Sequence, residues 1–283
     1  MKVAVIGCGM MGSAHVKTVA ACGAQPVSID HNRERGAVYA SFKEALDEHG
    51  AFDAAMICTP AVTHAAVAKN LLRTGYRGPL FVEKPLATTP EETEIFRRWP
   101  HPTTMVGYML RFDPVLAGIK QTLDIRGGDL FVHYDTSEWT ASKYPMWRWL
   151  ECSHELDLAL WMGAQPDFKH VAGLLQSEDR QWHVRVSAGT TPFKREWSLR
   201  GVDTEVRLAA GDDRMEPAPV PDDGKGLDRW LAQPMYRNMV DTFLKFAFMN
   251  APTPVPFSEG ANVVAVLAAA GLNNVQDDSR LEA

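Results

Sequence analysis

The sequence predicts an α/β chain in two parts, a doubly wound parallel sheet at the N-terminus followed by an α+β region with a mainly antiparallel open sheet. Three observations carry this. An apolar run from Val3 to Ile6 stops at Gly7 and gives way to a helical pattern near Ser13, the opening of a parallel βαβ unit. Apolar strands and amphipathic helices then alternate for about a hundred residues. From Asp129 onward, strand candidates follow one another with little helix between them.

Taken in order, a second strand from Pro26 to Ile29 ends in Asp30. Only seven residues separate Asp30 from Val38, fewer than the dozen or so of a crossover with its own helix, so the adenine side of any nucleotide site should be trimmed. Ala54 to Cys58 is a third strand, followed by Thr59, Pro60 and a helix from Val62 to Arg73. Leu80 to Glu83 leads into Lys84-Pro85, and a helix near Pro90 to Trp99 precedes a strand near Thr103 to Tyr108. In open parallel sheets, ligands lie outside the carboxyl ends of the strands. Gly7, Asp30, Thr59, Lys84 and Tyr108 all fall there.

The later strands are expected at Leu130 to Trp139, Phe168 to Gln176, Trp182 to Ala188, Lys194 to Leu199 and Thr204 to Ala209. Alternation of Val184, Val186, Trp197, Leu199, Val206 and Leu208 with polar residues reads as an antiparallel meander with one buried face. One helix interrupts it, Leu150 to Met162, and two close the chain, near Tyr236 to Phe248 and Ser258 to Asn273. The Asp-, Pro- and Gly-rich stretch from Gly211 to Gly226 reads as a loop. The domains divide as 1–110 and 111–283.

Length and composition fit this plan. The 283 residues are 46% apolar and 23% charged, enough for a large core. A net charge of -6 and the lack of a basic run argue against a nucleic-acid partner. Four cysteines without zinc-like spacing predict neither disulfides nor a structural metal. No stretch reaches the roughly 18 apolar residues of a membrane span, and the first residues enter a strand directly, so the expected location is the cytoplasm.

Gly7, Gly9 and Gly12 fit GxGxxG: the first makes the turn, the second lets backbone approach a pyrophosphate, and the third lets helix and strand pack closely. The pyrophosphate would meet the helix N-terminus at Met10 and Met11, where N–H groups and the helix dipole favour negative charge. Asp30, 18 residues after Gly12, is placed to take the ribose hydroxyls. Its charge would repel a 2′-phosphate and favours NAD, while Arg33 and Arg35 leave NADP open.

Two further stretches carry chemistry. In Val82 to Pro85 (VEKP), Lys84 is aimed where a nicotinamide would lie, and the following proline offers a cis bond that would fix its direction. In Glu151 to Gly163, helical spacing puts Glu151, His154 and Asp157 on one side, an imidazole between two carboxylates suited to general-base work. Zinc is a rival use of that cluster, but no third convergent ligand is evident.

The residues quoted so far resemble the Gfo/Idh/MocA family of nicotinamide-dependent sugar and cyclitol oxidoreductases. Its marks occur in order as GCGMMG from Gly7 to Gly12, ICTPAVTH from Ile57 to His64, FVEKPLA from Phe81 to Ala87, VGYMLRFDP from Val106 to Pro114 and SHELD from Ser153 to Asp157, with YRNMVDTF from Tyr236 to Phe243. The resemblance implies a Rossmann domain joined to an α/β domain that carries the substrate and homodimer or homotetramer contacts through its sheet. It also implies that His154 takes a proton from a substrate hydroxyl while Lys84 holds the oxygen, with Glu151 in place of the usual acid before the histidine. Thr59, Pro60 and Glu83 fall with the cofactor side, as does His64, which orients the helix after Thr59-Pro60. Tyr108 and Arg111 match positions near the substrate, where Arg111 is suited to a carboxylate or phosphate. Trp147 offers a stacking wall for a sugar. The expected partner is a small polyol; the alternative is a non-catalytic nicotinamide-binding regulator, and a reductase of an unsaturated substrate is a third reading.

Overall fold

The computed structural model describes residues 1–126, 129–137, 147–171, 174–177, 182–189, 194–200, 205–210 and 234–272. The chain divides into two compact units, Met1–Met109 with Trp230–Ala261, and Leu110–Arg229 with Asn262–Ala283.

The first unit is a Rossmann-like parallel sheet with helices. Its strands are β1 (Lys2–Ile6), β2 (Gln25–Ile29), β3 (Ala54–Ile57), β4 (Leu80–Val82) and β5 (Thr104–Val106), in the order β2-β1-β3-β4-β5. Every pairing is parallel. The central strands read as continuous apolar runs because helices cover both faces, and β3 and β4 are wholly buried. The connecting helices are α1 (Met10–Ala21), α2 (Phe42–His49), α3 (His64–Arg73) and α4 (Pro90–Arg97). Ser41 and Thr89 cap α2 and α4, each accepting from the N–H of a glutamate three residues on.

Helix α1 starts at Met10, inside the glycine motif and not near Ser13. The trimmed crossover after β2 is a 3₁₀ turn over Arg33–Arg35 followed by a single parallel bridge from Tyr39 to Ile29. A strand that would normally flank β2 is thus reduced to one residue.

The second unit holds α5 (Pro114–Arg126), β6 (Asp129–Ser137), α6 (Trp147–Met162), β7 (Lys169–Val171), β8 (Leu174–Gln176), β9 (Trp182–Gly189), β10 (Lys194–Arg200) and β11 (Glu205–Ala210). The strand order is β11-β10-β6-β9-β8-β7. It departs from a meander, since β6 and β9 pair in parallel at the centre while the other pairs are antiparallel. Register lines up Leu208, Trp197, Val132 and Val184 across four strands. Phe168 to Gln176, expected as one strand, is a pair, β7 and β8. The expected loop from 211 to 226 lies outside the described residues.

Of the two closing helices, α7 (Pro234–Met249) and α8 (Phe257–Ala269), α7 and the first residues of α8 fall in the first unit, beyond the expected division at 110. Over Trp230–Ala261 the chain returns to the first unit. The reason is packing: Phe243 stands 5.6 Å from Phe81 of β4, ring centre to ring centre, and Tyr236 lies 5.0 Å from His15 of α1. Both aromatic residues are fully buried. Sequence periodicity shows that α7 has an apolar face but not which sheet covers it. No helix among the described residues is long and apolar enough to cross a membrane.

Candidate functional site

The three glycines of the first loop do three different jobs. Gly7 has φ +95°, and a Cβ there would come within 2.8 Å of the backbone of Cys58 and Thr59. A Cβ on Gly9 would meet nothing within 4 Å, which leaves open space beside the backbone for a ligand. A Cβ on Gly12 would stand 1.6 Å from the carbonyl oxygen of Gly7, so only glycine lets α1 pack this closely on the turn. Gly9 is the residue before α1, and the first N–H groups of that helix, from Met10 onward, have no carbonyl one turn back within it. No acidic residue lies in that first turn. The loop therefore fits a pyrophosphate. Gly12→Ala is expected to raise the dissociation constant for NADH at least about tenfold and to cost about 1–3 kcal/mol of stability, read by fluorescence titration and chemical denaturation.

Asp30 is buried at the end of β2 and already organises the loop. Its Oδ2 accepts from the Cys8 N–H at 2.8 Å and its Oδ1 from the Asn32 N–H at 2.9 Å. Burial pushes the carboxyl up, but these two N–H groups, Arg35 and His31 outweigh it and hold it below the ordinary value. The Arg35 guanidinium lies 3.6 Å from Asp30 Oδ2, and Arg33 pairs with Glu44. Both arginines thus face acids of the same unit. Burial pushes the Cys8 and Cys58 thiols up, which makes neither a nucleophile.

Beyond β3 and β4 two turns meet through His64. Its imidazole is fully buried, with Nδ1 3.0 Å from the Pro85 carbonyl and Nε2 2.8 Å from the Thr59 carbonyl. The neutral ring donates to one of them. This is the geometry of a strut between the Thr59-Pro60 turn and the Lys84-Pro85 turn, not of a side chain touching a ligand. Thr63 adds to the strut by donating its hydroxyl to Thr59 and the Pro60 carbonyl. Burial pushes the imidazole down despite the carbonyls and Glu83, so the folded state favours the neutral ring. A depressed histidine contributes stability above its ordinary value that is lost as pH falls toward its folded value. The melting temperature is therefore expected to drop on acidification below about pH 6.5, and His64→Gln to flatten that dependence.

The Lys84–Pro85 bond is cis. Lys84 is partly exposed at the carboxyl end of β4, directly after buried Glu83. His15 is not singled out by the sequence: fully buried on α1, it places Nε2 2.5 Å from Glu83 Oε1. Its signal is local, a histidine one turn after the last glycine of the motif, but the partner lies 68 residues away.

In the second unit, Arg111 meets Asp157 of α6 in a two-point pair, Nε to Oδ2 at 2.8 Å and Nη2 to Oδ1 at 2.5 Å. Both side chains are buried. The carboxylate that Arg111 holds is internal. The Arg111 guanidinium also lies 5.9 Å from the Trp161 ring centre. His154 is on the same helix, 5% exposed. Trp147 and Glu151 belong to α6, but their side chains lie outside the described residues. Tyr108, after β5 in the first unit, has no exposed surface. Among the described residues no group of three or more His, Cys, Asp or Glu side chains is placed to hold a metal ion.

A parallel sheet whose first turn carries this glycine loop defines a dinucleotide-binding Rossmann domain. Residues 1–98 match the model of the Gfo/Idh/MocA oxidoreductase family, NAD-binding Rossmann fold. The chain is 34% identical over 140 residues to inositol 2-dehydrogenase 2 of Saccharopolyspora erythraea, covering 44% of this chain and 41% of that protein. It is 35% identical over 148 residues to inositol 2-dehydrogenase 2 of Mycolicibacterium vanbaalenii, covering 46% and 42%. The matches thus span less than half the length of these curated relatives. Among solved structures, myo-inositol dehydrogenase from Lactobacillus casei in complex with NAD(H) and myo-inositol superposes with a TM-score of 0.72 at 21% identity, over 98% of this chain and 95% of that one. GenD2 from gentamicin A biosynthesis in complex with NAD gives 0.75 at 18%, over 98% and 94%. At these identities the likeness shows the fold.

Proposed function

We propose that the chain is an NAD-dependent dehydrogenase interconverting a secondary alcohol and a ketone on a cyclitol, a sugar or a sugar-derived acid. The observation that carries this reading is the glycine loop of the first unit with α1 tied by His15 to Glu83, next to Lys84 at the carboxyl end of β4. The inositol 2-dehydrogenase relatives favour a cyclitol among the polyols.

The residues then divide the work. The N–H groups at Met10 and Met11 and the backbone at Gly9 hold the pyrophosphate, and Asp30 takes the ribose hydroxyls. NAD is favoured over NADP because Asp30 would repel a 2′-phosphate while Arg33 and Arg35 already face Glu44 and Asp30. NAD held there would supply the acceptor for the hydride of the carbinol carbon. His154 takes the hydroxyl proton and returns it in the reverse direction, and the Lys84 ammonium holds the oxygen as negative charge develops on it. A homodimer or homotetramer through the second unit's sheet belongs to the same reading, and light scattering on the eluted protein measures it.

The test is reduced-nicotinamide absorbance with NAD and a panel of inositol isomers, sugars and sugar acids. Substrate-dependent reduction of NAD by a cyclitol is the expected result. Tight NADH binding with no turnover across the panel would sink this reading and favour a nicotinamide-binding regulator.

A further inference from the structure

We propose that His15 and Glu83 are positioning residues that set the Lys84 turn in register with the pyrophosphate helix. This rests on the proposed reading of the first unit as the dinucleotide site with Lys84 at its nicotinamide end. His15 lies on α1, three residues after Gly12, so whatever holds its ring also holds the helix that carries the glycine loop. The ring is fully buried, 5.0 Å from the rings of both Phe81 and Tyr236, and its Nε2 meets Glu83 Oε1 at 2.5 Å. Nδ1 has no hydrogen-bond partner among the described residues, so the orientation depends on the two aromatic rings and Glu83.

Glu83 passes the constraint on. Its second oxygen, Oε2, accepts from the backbone N–H of Lys84 at 3.2 Å. The Glu83 N–H in turn donates to the Ile57 carbonyl at the end of β3. A Cβ on Gly107 would stand 3.0 Å from Oε2, so the end of β5 closes over the carboxylate. One carboxylate therefore ties α1 to the first residue after β4, and the chain continues from that residue into the cis proline. Burying such a polar pair is a poor route to stability, since apolar residues of similar volume do as well or better. What the pair supplies is a fixed direction between the element that would meet the pyrophosphate and the one that would meet the nicotinamide.

The experiment uses the full chain with Glu83→Gln, His15→Phe and His15→Gln, each compared with wild type for binding of ADP-ribose and of NADH. ADP-ribose probes the pyrophosphate helix and Asp30 without the nicotinamide; NADH adds the nicotinamide, whose emission reports its surroundings. Glu83→Gln and His15→Phe are expected to leave ADP-ribose affinity within about twofold, to lose the NADH emission enhancement, and to lower kcat about tenfold or more with little change in KM on any polyol found active. His15→Gln, which keeps a donor, should recover part of each effect. Equal losses in ADP-ribose and NADH affinity, or a lower melting temperature with both ligand signals intact, would overturn the pair as a positioning device. Glu83→Gln alone decides if phenylalanine at position 15 prevents folding. Wild-type protein that binds neither ligand overturns the dinucleotide reading and the pair with it.

Discussion

Replacing His154 by alanine is expected to lower turnover on an active polyol by on the order of 10²–10⁴, the usual yield of general acid–base assistance, while NADH affinity stays within about twofold. The separation follows from where the groups reside. His154 is on α6 of the second unit, whereas the glycine loop and Asp30 belong to the first. A loss of that size corresponds to about 3–5 kcal/mol of transition-state stabilisation. It should appear in kcat and in kcat/KM together, because a proton acceptor contributes as the hydroxyl ionises and not in ground-state binding. Lys84→Ala is expected to lower turnover by about 10²–10³, the cost of losing one group that stabilises a developing oxyanion. A His154→Ala protein that retains full turnover would remove the base from the mechanism and favour reduction of an unsaturated substrate.

Those two residues could be named from the chain because their signals are local. Lys84 ends an apolar strand and precedes proline, and His154 sits between acids at helical spacing. The same holds for the glycine loop, whose three positions the backbone uses as the motif requires. Features that are non-local or weakly patterned leave no such mark. Helix α5 is not evident in the sequence because its apolar residues form no strong stripe, although Asp113 caps it through the Val115 N–H and Pro114 occupies its first position. Tyr236 and Phe243 show that α7 must be buried, but only the return of the chain to the first unit says against what. The parallel pairing of β6 with β9 depends on strand order, which alternation of apolar residues cannot encode. His15 and Glu83 are each unremarkable in sequence and acquire meaning only as a pair.

Asp157→Ala is expected to destabilise the protein by about 3–5 kcal/mol, the cost of leaving a buried charge without its partner. The carboxylate has no exposed surface, and its two oxygens receive Nε and Nη2 of Arg111 in a planar, bidentate arrangement. Helical spacing put Asp157 beside His154 as a catalytic carboxylate; the Arg111 pair gives it a second duty, in stability. The two duties separate in a double-mutant cycle. Replacing both members, as Arg111→Met with Asp157→Leu, removes the need to desolvate either charge and should recover most of the stability lost in Asp157→Ala. Denaturant midpoints of the four proteins give the coupling between the two sites, and turnover of the double variant shows whether the carboxylate has any part in the chemistry. Recovered stability with recovered turnover would make Asp157 purely structural. Recovered stability with turnover still about tenfold or more below wild type would assign the Arg111–Asp157 pair to the reaction. A midpoint unchanged in Asp157→Ala would mean that the pair contributes nothing to holding α6 against the residues after β5.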